Sequence, residues 1–386
     1  MNGIFEPQPQ PERFGDPARP SGDGFESPPQ RLRRVLRTRP AESALHRILA
    51  GSADLFRGDD YPQRLADAAA GSQRAVTTGR RIAVVGTRGG AGRTTAAALL
   101  ARIYAAMRAD VVAALDLAPA AGTLGLRLGV PYAPPLEAAA ARLEAGTPDS
   151  LRGLAALLTV AEPANLLVTG RRRASGPWMP AGQGLSDDAV WTPAGPQAPP
   201  VWTPSVGAPA FTGPAGAASP TAAAGPAGAA RLSRVISRYC PVTIFDCGPG
   251  LTDPAALWAV EHSHLAVFVA PASVAGLEDA VEYSRAWRHT PALAAVPLLV
   301  LVVQSSPDRV FTASREARRL RRAGIDALHL GRDRHLAAGV EVLPSLLSRR
   351  TRLEAVSIAS RVLAAAASGT GVPPAAELAP ERNAYV

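Results

Sequence analysis

The sequence contains no lysine: all 41 of its basic side chains are arginines. Aromatic residues are also scarce, at 5% of 386 residues, so alanine and the aliphatic side chains must form most of any core. A chain without lysine is typical of a GC-rich coding bias. The bias has a chemical consequence wherever a binding site ordinarily uses a lysine, because an arginine must then do its work.

Cysteine is nearly absent as well. Cys240 and Cys247 lie at the two ends of a predicted strand, too far apart for a disulfide within that strand. This usage fits a reducing compartment. Neither Cys247 nor His335 has partners at a spacing that would build a catalytic triad or a metal site, so we interpret both as structural residues.

Long apolar segments are missing too. The longest apolar run, at 292–303, contains Pro297 and is too short to span a bilayer. The N-terminus is polar and proline-rich, unlike a secretory signal peptide. The C-terminal sequence GTGVPPAAELAPERNAYV is neither basic nor amphipathic, so no membrane anchor is expected there. We therefore expect a cytoplasmic protein with no integral membrane segment.

The formal net charge is +9, which allows contact with nucleic acid or an acidic membrane. Basic residues are concentrated at 31–39, 171–173, 315–322 and 349–352. Most such runs form solvated faces. Non-specific DNA is therefore one candidate partner, but the charge alone does not establish DNA binding.

Composition divides the chain into ordered and disordered parts. We expect a disordered tail at 1–40, a helical lead-in at 41–80, and a flexible C-terminal tail at 368–386. Residues 171–228 are rich in proline, glycine and alanine, which predicts a disordered insertion. The tetrapeptide VWTP occurs twice within it, at 190–193 and 201–204. This repeat is either a drifted duplication or a short docking motif.

The remaining segments, 81–170 and 229–367, alternate apolar strands with helices. Strand patterns occur at 81–86, 111–116, 165–170, 241–246, 264–271, 296–303 and 326–330. Each is almost wholly apolar, which is typical of parallel strands buried on both faces. The sequence therefore predicts an α/β domain with a mostly parallel sheet of about seven strands and helices on both faces.

A glycine-rich loop follows the first of these strands and precedes a strong helix pattern. Gly86, Gly89, Gly90 and Gly92 allow backbone N–H groups to approach a phosphate without Cβ clashes. The following helix would place its positive N-terminus at the same point. Thr94 is placed to reach Mg²⁺ with its hydroxyl. The loop predicts a nucleotide-binding site.

Two residues depart from the usual pattern G-x-x-x-x-G-K-[ST]. Thr87 stands in place of the first glycine, and Arg93 stands in place of the lysine. A guanidinium is planar and bulkier than an ammonium group. Arg93 can still bind phosphate, but the difference weakens the case for efficient catalysis.

The loop sequence TRGGAGRTT, at 87–95, is similar to the deviant Walker A loop KGGxGKT[T/S] of the MinD/ParA ATPases. Three further segments resemble motifs of that family in the same order: ALDLAPAAGTLGLRLGV, IFDCGPGLTDPA and LHLGRDRHLAAG. The resemblance implies a P-loop ATPase fold that binds ATP and Mg²⁺. It assigns nucleotide contacts to Arg88, Gly89, Gly90, Ala91, Gly92, Arg93, Thr94, Thr95 and Gln304.

Arg88 occupies the position of the family's signature lysine, which reaches across a nucleotide-sandwich dimer. The resemblance therefore implies an ATP-dependent homodimer. For Gln304 a second interpretation remains open: its amide would contact adenine or would simply cap the preceding strand.

Asp116 and Asp246 end two predicted strands, where parallel sheets present residues to a ligand crevice. With Thr94 they form the expected Mg²⁺ set, and Arg93 and Asp116 are the candidate catalytic residues. The alternative for either carboxylate is a turn or helix-capping role. Ala118 replaces a second aspartate that the family often has in switch I, so we expect slow or impaired hydrolysis. The glycines after Asp246 suit a loop that senses the terminal phosphate.

The flanking sequences are similar to actinobacterial MinD-like proteins associated with type VII (ESX) secretion, the EspI-like group. That resemblance implies a regulator with a secretion-machinery partner bound through the proline-rich tail or the insertion. Two alternatives stay open. One is a ParA-type chromosome or plasmid partitioning ATPase, and the other is a degenerate, non-hydrolysing scaffold.

Overall fold

A computed structural model describes residues 60–118, 122–170, 226–250, 253–307 and 310–368. The predicted N-terminal tail, the C-terminal tail from 369 onward and residues 171–225 of the insertion lie outside this part of the chain. The first half of the helical lead-in lies outside it as well.

Eight strands form the sheet: β1 (Arg80–Val85), β2 (Val112–Asp116), β3 (Thr159–Ala161), β4 (Leu166–Val168), β5 (Val242–Asp246), β6 (Leu265–Pro271), β7 (Leu298–Val303) and β8 (Ala327–Leu330). The helices before the insertion are α1 (Tyr61–Ser72), α2 (Arg93–Met107), α3 (Leu124–Arg127), α4 (Leu136–Ala145) and α5 (Leu151–Leu157). After it come α6 (Pro226–Ile236), α7 (Pro254–Glu261), α8 (Val274–His289), α9 (Pro291–Ala294), α10 (Ala313–Arg322), α11 (Arg334–Ala337), a 3₁₀ turn (Pro344–Leu346) and α12 (Arg349–Ser368).

The strands lie in the order β3-β4-β2-β5-β1-β6-β7-β8. All neighbouring pairs are parallel except β3 and β4. The central strands are apolar because helices cover both of their faces: every residue of β2 and β5 is buried. The predicted fold class, a mostly parallel α/β sheet, is confirmed.

The eighth strand was not predicted. β3 has three residues and pairs antiparallel with β4 at the edge of the sheet. Helix α5 ends at Leu157, two residues before β3 begins. A three-residue edge strand is too short for a periodic pattern, so only its pairing with β4 defines it.

Helices pack on the two faces to form two cores. On one face α2 and α12 lie against the sheet, and α1 packs across α12. Tyr104 of α2 is fully buried there and donates its hydroxyl to the Ala359 carbonyl of α12 at 2.7 Å. Burial raises the pKa of Tyr104. The other core lies beneath α4 to α8 and α10.

A buried ion pair joins α2 to the chain after α11. Arg102 donates to Glu341 at 2.6 Å, and the two side chains are only 5% and 8% exposed. Arg102 also donates to the carbonyls of Leu128 and Glu162. This one guanidinium therefore connects the helix after the glycine-rich loop to three other segments.

Candidate functional site

The glycine-rich loop connects β1 to α2 at the carboxyl edge of the sheet. Gly90 and Gly92 have φ values of 75° and 94°, a conformation that favours glycine. Gly86 must be small for another reason: a Cβ there would lie 2.7 Å from the Val269 carbonyl oxygen. These glycines therefore allow the loop to turn tightly and to lie close to the sheet.

Gly92 is the N-cap residue of α2, and among the described residues no side chain caps this end of the helix. The first turn also carries no acidic residue. The amide groups of that turn are donors in need of acceptors, and the helix dipole adds positive potential there. Such an end of a fifteen-residue helix is suited to an anion such as phosphate.

The loop opens on a cavity of about 350 Å³, a volume within the range of small-molecule sites. Residues from four parts of the chain line it: the loop and α2, α3 with the residue before it, the end of β7, and the segment from β8 to α11. The lining residues are Gly90, Gly92, Arg93, Thr94, Thr95, Thr123, Arg127, Val303, Gln304, Ser305, Leu330, Gly331, Asp333, Leu336 and Ala337. Six of the residues predicted as nucleotide contacts are therefore in one cavity, while Arg88, Gly89 and Ala91 lie in the same loop outside its lining.

Asp246 ends β5 directly beneath this loop and is almost completely buried. Burial raises the pKa of Asp246 to about 6, although the Thr94 hydroxyl and the Arg93 charge act in the opposite direction. Among the described residues its Oδ2 has no hydrogen-bond partner. A buried carboxylate oxygen without a donor, beside a threonine hydroxyl, fits a hydrated Mg²⁺ ion, which uses few protein ligands.

Arg93 lies over the start of the loop instead of projecting into solvent. Its Nη1 donates to the Gly86 carbonyl at 3.1 Å, and its buried Nε has no hydrogen-bond partner among the described residues. Burial lowers the pKa of Arg93, with Asp246 and Cys247 opposing that effect. The guanidinium is thus held against the glycine-rich loop, and its Nε is available to donate to a bound anion.

Asp116 ends β2, and its register partner across the sheet is Asp246. Its carboxylate accepts hydrogen bonds from the amides of Ala118 at 3.1 Å and Leu124 at 3.2 Å. Gly122 is packed so closely that a Cβ would lie 2.2 Å from Oδ2. In this geometry Asp116 holds the turn between β2 and α3, the alternative role considered above, and its metal and catalytic roles stay predictions.

Comparison with known proteins gives a structural likeness. No protein-family model and no curated protein matches the chain. A ParA family ATPase from Chlorobium tepidum superposes with a TM-score of 0.50 and 16% identity, over 73% of this chain and 98% of that chain. The fold is that of a MinD/ParA-type ATPase.

Two MinD structures are also similar at lower scores. MinD of Pyrococcus furiosus is 15% identical with a TM-score of 0.48, over 74% of this chain and 98% of that one. MinD of Pyrococcus horikoshii, solved with Mg-ADP, is 14% identical with a TM-score of 0.49, over 75% and 99%. At identities of 14–16% a likeness concerns the fold alone and assigns no chemistry to the residues of this chain.

Arg88 makes a bidentate ion pair within its own chain. Its Nε and Nη2 donate to the two carboxylate oxygens of Asp279 on α8 at 2.7 and 3.0 Å, and the Thr87 hydroxyl donates to Oδ2 at 2.5 Å. The Arg88 side chain is 49% exposed. Arg88 is thus at the surface and held against α8.

Gln304 makes local hydrogen bonds at the end of β7, and its contact with adenine stays a prediction. Its Oε1 accepts the Ala313 amide at 2.8 Å, at the N-terminus of α10, and its Nε2 donates to the Ser306 carbonyl at 3.1 Å. The residue also lines the cavity. Its amide therefore stabilises the loop after β7 while it presents a polar group to the site.

Arg127 is a lining residue that sequence reasoning missed. Its Nη1 donates to the carbonyls of Leu336 at 3.1 Å and Val340 at 3.2 Å, and burial lowers its pKa. The side chain links α3 to the segment that follows β8, on the far side of the cavity. Arg127 lies within the segment ALDLAPAAGTLGLRLGV, but that resemblance gave it no role, because its partners are backbone carbonyls from a distant part of the sequence.

The loop after Asp246 is hydrogen-bonded to the glycine-rich loop. The Gly250 amide donates to the Gly86 carbonyl at 3.0 Å, the same oxygen that accepts from Arg93. Gly250 has a φ of 69°, so it is a glycine by necessity. The Gly86 carbonyl therefore links the glycine-rich loop to Arg93 and to the segment after β5.

The two residues interpreted as structural lie inside the protein. Cys247 is a free, buried thiol whose pKa is raised by that burial, so it is not a thiolate nucleophile. His335 is 1% exposed, and its Nε2 accepts the Leu343 amide at 3.0 Å. Within the described ranges no group of three or more His, Cys, Asp or Glu side chains could hold a metal ion.

The sequence predicts no integral membrane segment. None of the helices in the described part of the chain is both long enough and apolar enough to cross a bilayer.

Replacing Asp246 with asparagine should stabilise the ligand-free protein at pH 8, by on the order of 1–3 kcal/mol. The folded-state pKa of about 6 lies above the unfolded value of 3.8, so folding binds a proton between these two pH values. Wild-type stability therefore falls as pH rises through about 6, and the neutral amide removes that loss. Urea unfolding at pH 4 to 8 measures the difference.

The difference between the variant and the wild type should shrink as pH falls toward 4 and stay level above pH 7. An Asp246→Asn protein that is less stable than wild type at pH 8 would contradict the buried, unpaired carboxylate. Asp326→Asn is a suitable control, because Asp326 is in an exposed ion pair with Arg361.

Proposed function

We propose that the protein is a MinD/ParA-type nucleotide switch that binds ATP with Mg²⁺ and dimerises on it. The observation that carries the proposal is the common cavity: the uncapped N-terminus of α2, the glycine loop and Gln304 face one space. Phosphates fit the loop end, where amide donors and Arg93 supply positive potential. The base fits the end formed by Gln304 and the segment after β8.

Magnesium would be held by Thr94 and Asp246. The Thr94 hydroxyl is close enough to the Asp246 carboxylate to lower its pKa. The Asp246 Oδ2 has no hydrogen-bond partner among the described residues, so it is available to a water molecule or to the ion. When bound, Mg²⁺ supplies charge neutralisation at the phosphates. Asp116, one strand away from Asp246, orders the neighbouring turn and is the third member of the predicted set.

We propose slow turnover for this switch. Ala118 is 8% exposed and carries no group that can orient water or accept a proton. Arg93 holds the Gly86 carbonyl with a planar guanidinium where a lysine would be a mobile point charge. The side chains that remain can bind and position ATP more readily than they can activate a nucleophile.

Dimerisation would require Arg88 to exchange partners. In the single chain its guanidinium is satisfied by Asp279, and its exposure lets it leave the surface without disturbing the core. The phosphate groups of ATP bound to a second protomer are alternative bidentate acceptors for the same guanidinium N–H groups. ATP would thus favour the dimer by replacing an exposed pair with contacts to a more highly charged ligand.

Replacing Arg88 with alanine should abolish the ATP-dependent dimer while sparing the fold, because the side chain is half exposed. Asp279→Ala is the matched variant: it removes the competing partner but keeps Arg88, so dimerisation with ATP should persist. Light scattering coupled to size exclusion, with ATP, ADP or no nucleotide, measures the oligomeric state. Unchanged dimerisation of the Arg88→Ala protein would refute the cross-subunit role.

For the biological process we propose regulation of type VII secretion, supported by the similarity of the flanking sequences. The partner would be a component of that machinery bound through the proline-rich tail or the insertion. Co-purification of such a component with the full chain, lost when residues 171–225 are deleted, is the expected result. Failure of both the full chain and the deletion to retain any component would contradict this assignment.

A ParA-type partitioning role remains the second candidate, and one observation favours it. The outer face of α10 presents Arg315, Arg318, Arg319 and Arg322 to solvent. ATP-dependent retention on non-specific DNA that weakens steeply with salt would support this role. The scaffold alternative predicts no ATP binding at all, so the same nucleotide titration separates it from both switches.

A further inference from the structure

A second cavity lies away from the nucleotide site, between α5 and the β3–β4 hairpin at the edge of the sheet. Its volume is about 820 Å³, and it is almost entirely apolar. We call it the edge groove; its lining residues are Val111, Leu151, Arg152, Ala155, Ala156, Val160, Ala164 and Leu167. Leu151 and Val160 are large apolar side chains that remain 41% and 44% exposed. An apolar groove with exposed walls is suited to an apolar ligand segment.

The groove also borders an unpaired strand edge. β3 pairs with β4 on one side, and within the described part of the chain it has no neighbour on the other. Val160 and Leu167 are register partners in this hairpin and both line the groove. An extended segment could therefore bind along β3 while it places alternate side chains into the groove.

The chain carries a segment with matching chemistry. Val190, Trp191 and Thr192 of the first VWTP copy are strand-forming residues, and the following proline restricts Thr192 to extended conformations. Trp191 would bring a large apolar surface to the groove. Asp187 and Asp188 precede this copy of the repeat with only Ala189 between, whereas two prolines directly precede the copy at 201–204.

Charge favours the first copy, and the chain is long enough to bring this copy to the groove. Arg152 lines the groove, and the acidic pair gives residues 187–193 the complementary charge. The insertion leaves the sheet after Gly170, three residues beyond Leu167 of the groove. The 20 residues from Gly170 to Val190 can extend over roughly 66–72 Å, well beyond the radius of gyration of about 18 Å for a domain of this size.

We propose that residues 187–193 dock in the edge groove of their own chain, with Trp191 seated against α5 and the acidic pair facing Arg152. This assigns an intramolecular function to the VWTP repeat, independent of the nucleotide site. The docked segment would hold the insertion against the domain and exclude other apolar ligands from the groove.

Cysteine cross-linking in the full chain tests the proposal. The protein with Val160→Cys and Thr192→Cys should form an intramolecular disulfide at least five times faster than two controls. One control pairs Val160→Cys with Thr203→Cys, in the second repeat. The other pairs Thr192→Cys with Tyr132→Cys, at a residue that is 89% exposed. The native cysteines are buried and do not compete.

Two further variants separate docking from chance encounters. Trp191→Ala and Arg152→Glu should each slow the 160–192 cross-link several-fold, whereas Trp202→Ala should not. Equal rates for the 192 and 203 pairs, or no effect of Trp191→Ala, would overturn the proposal. A cross-link found only between two chains would also overturn it and would assign the groove to a second copy.

Discussion

Replacing Arg93 with alanine should weaken Mg-ATP binding by about 10- to 150-fold, the loss expected when a hydrogen bond to a charged group is removed. The guanidinium lines the cavity, has a buried Nε without a hydrogen-bond partner among the described residues, and is the cation at the N-terminus of α2. Because its contacts would be to phosphate, binding of adenosine should change little. Isothermal titration with ATP, ADP and adenosine measures the pattern.

Arg93→Lys is the informative control. It retains a positive charge and gives the loop the compact ammonium group that the usual phosphate-loop pattern contains. We expect the lysine variant to bind ATP within about tenfold of the wild type, or about 1.4 kcal/mol. Equal ATP affinity of the wild type and the alanine variant would show that Arg93 is not a phosphate ligand.

Replacing Glu341 with alanine should lower the free energy of unfolding by about 3–5 kcal/mol, because it leaves the charge of Arg102 buried without its carboxylate. The pair is nearly inaccessible to solvent, and its N–O distance is 2.6 Å. Arg102 also holds the Leu128 carbonyl, so the loss should extend to the segment after α3. Urea denaturation at neutral pH measures the change.

An exposed ion pair provides the matched control for that experiment. Arg361 and Asp326 are 52% and 41% exposed and 3.0 Å apart. Arg361→Ala should cost between about 0 and 1 kcal/mol, since solvent screens such a pair. A Glu341→Ala effect as small as that of Arg361→Ala would contradict the assignment of the Arg102–Glu341 pair as a structural link.

The parallel sheet was predictable because each central strand is a run of apolar residues between helical patterns. Ile82, Val84 and Ile244 are buried on both sides by helices, so their sequences carry a strong signal. β3 carries no such signal. Its three residues form a strand only because they pair with Leu166–Val168. That pairing is a tertiary contact, which a local sequence pattern does not reveal.

The glycine-rich loop was predictable for a related reason: glycines, a threonine and the flanking elements are contiguous in sequence. Gly90 and Gly92 adopt the left-handed conformation that such a loop requires. Arg127 and Asp333 also line the cavity, yet they come from segments more than two hundred residues apart and bind backbone groups. Only folding brings them to the site.

Asp279 shows a third kind of limit. The sequence marked Arg88 as a residue directed toward a second protomer, but it gave no reason to single out a carboxylate on α8. In the folded chain that carboxylate accepts from both Thr87 and Arg88. The partner depends on where α8 packs relative to β1, which a local pattern does not specify.

Titration of the full wild-type chain with ATP, in Mg²⁺ and in excess chelator, tests the central claim most directly. The account predicts saturable binding of one ATP per chain, competition by ADP, and clearly weaker binding when Mg²⁺ is removed. The absence of saturable ATP binding in Mg²⁺ by a folded protein would contradict the assignment of the cavity at the glycine loop as a nucleotide site.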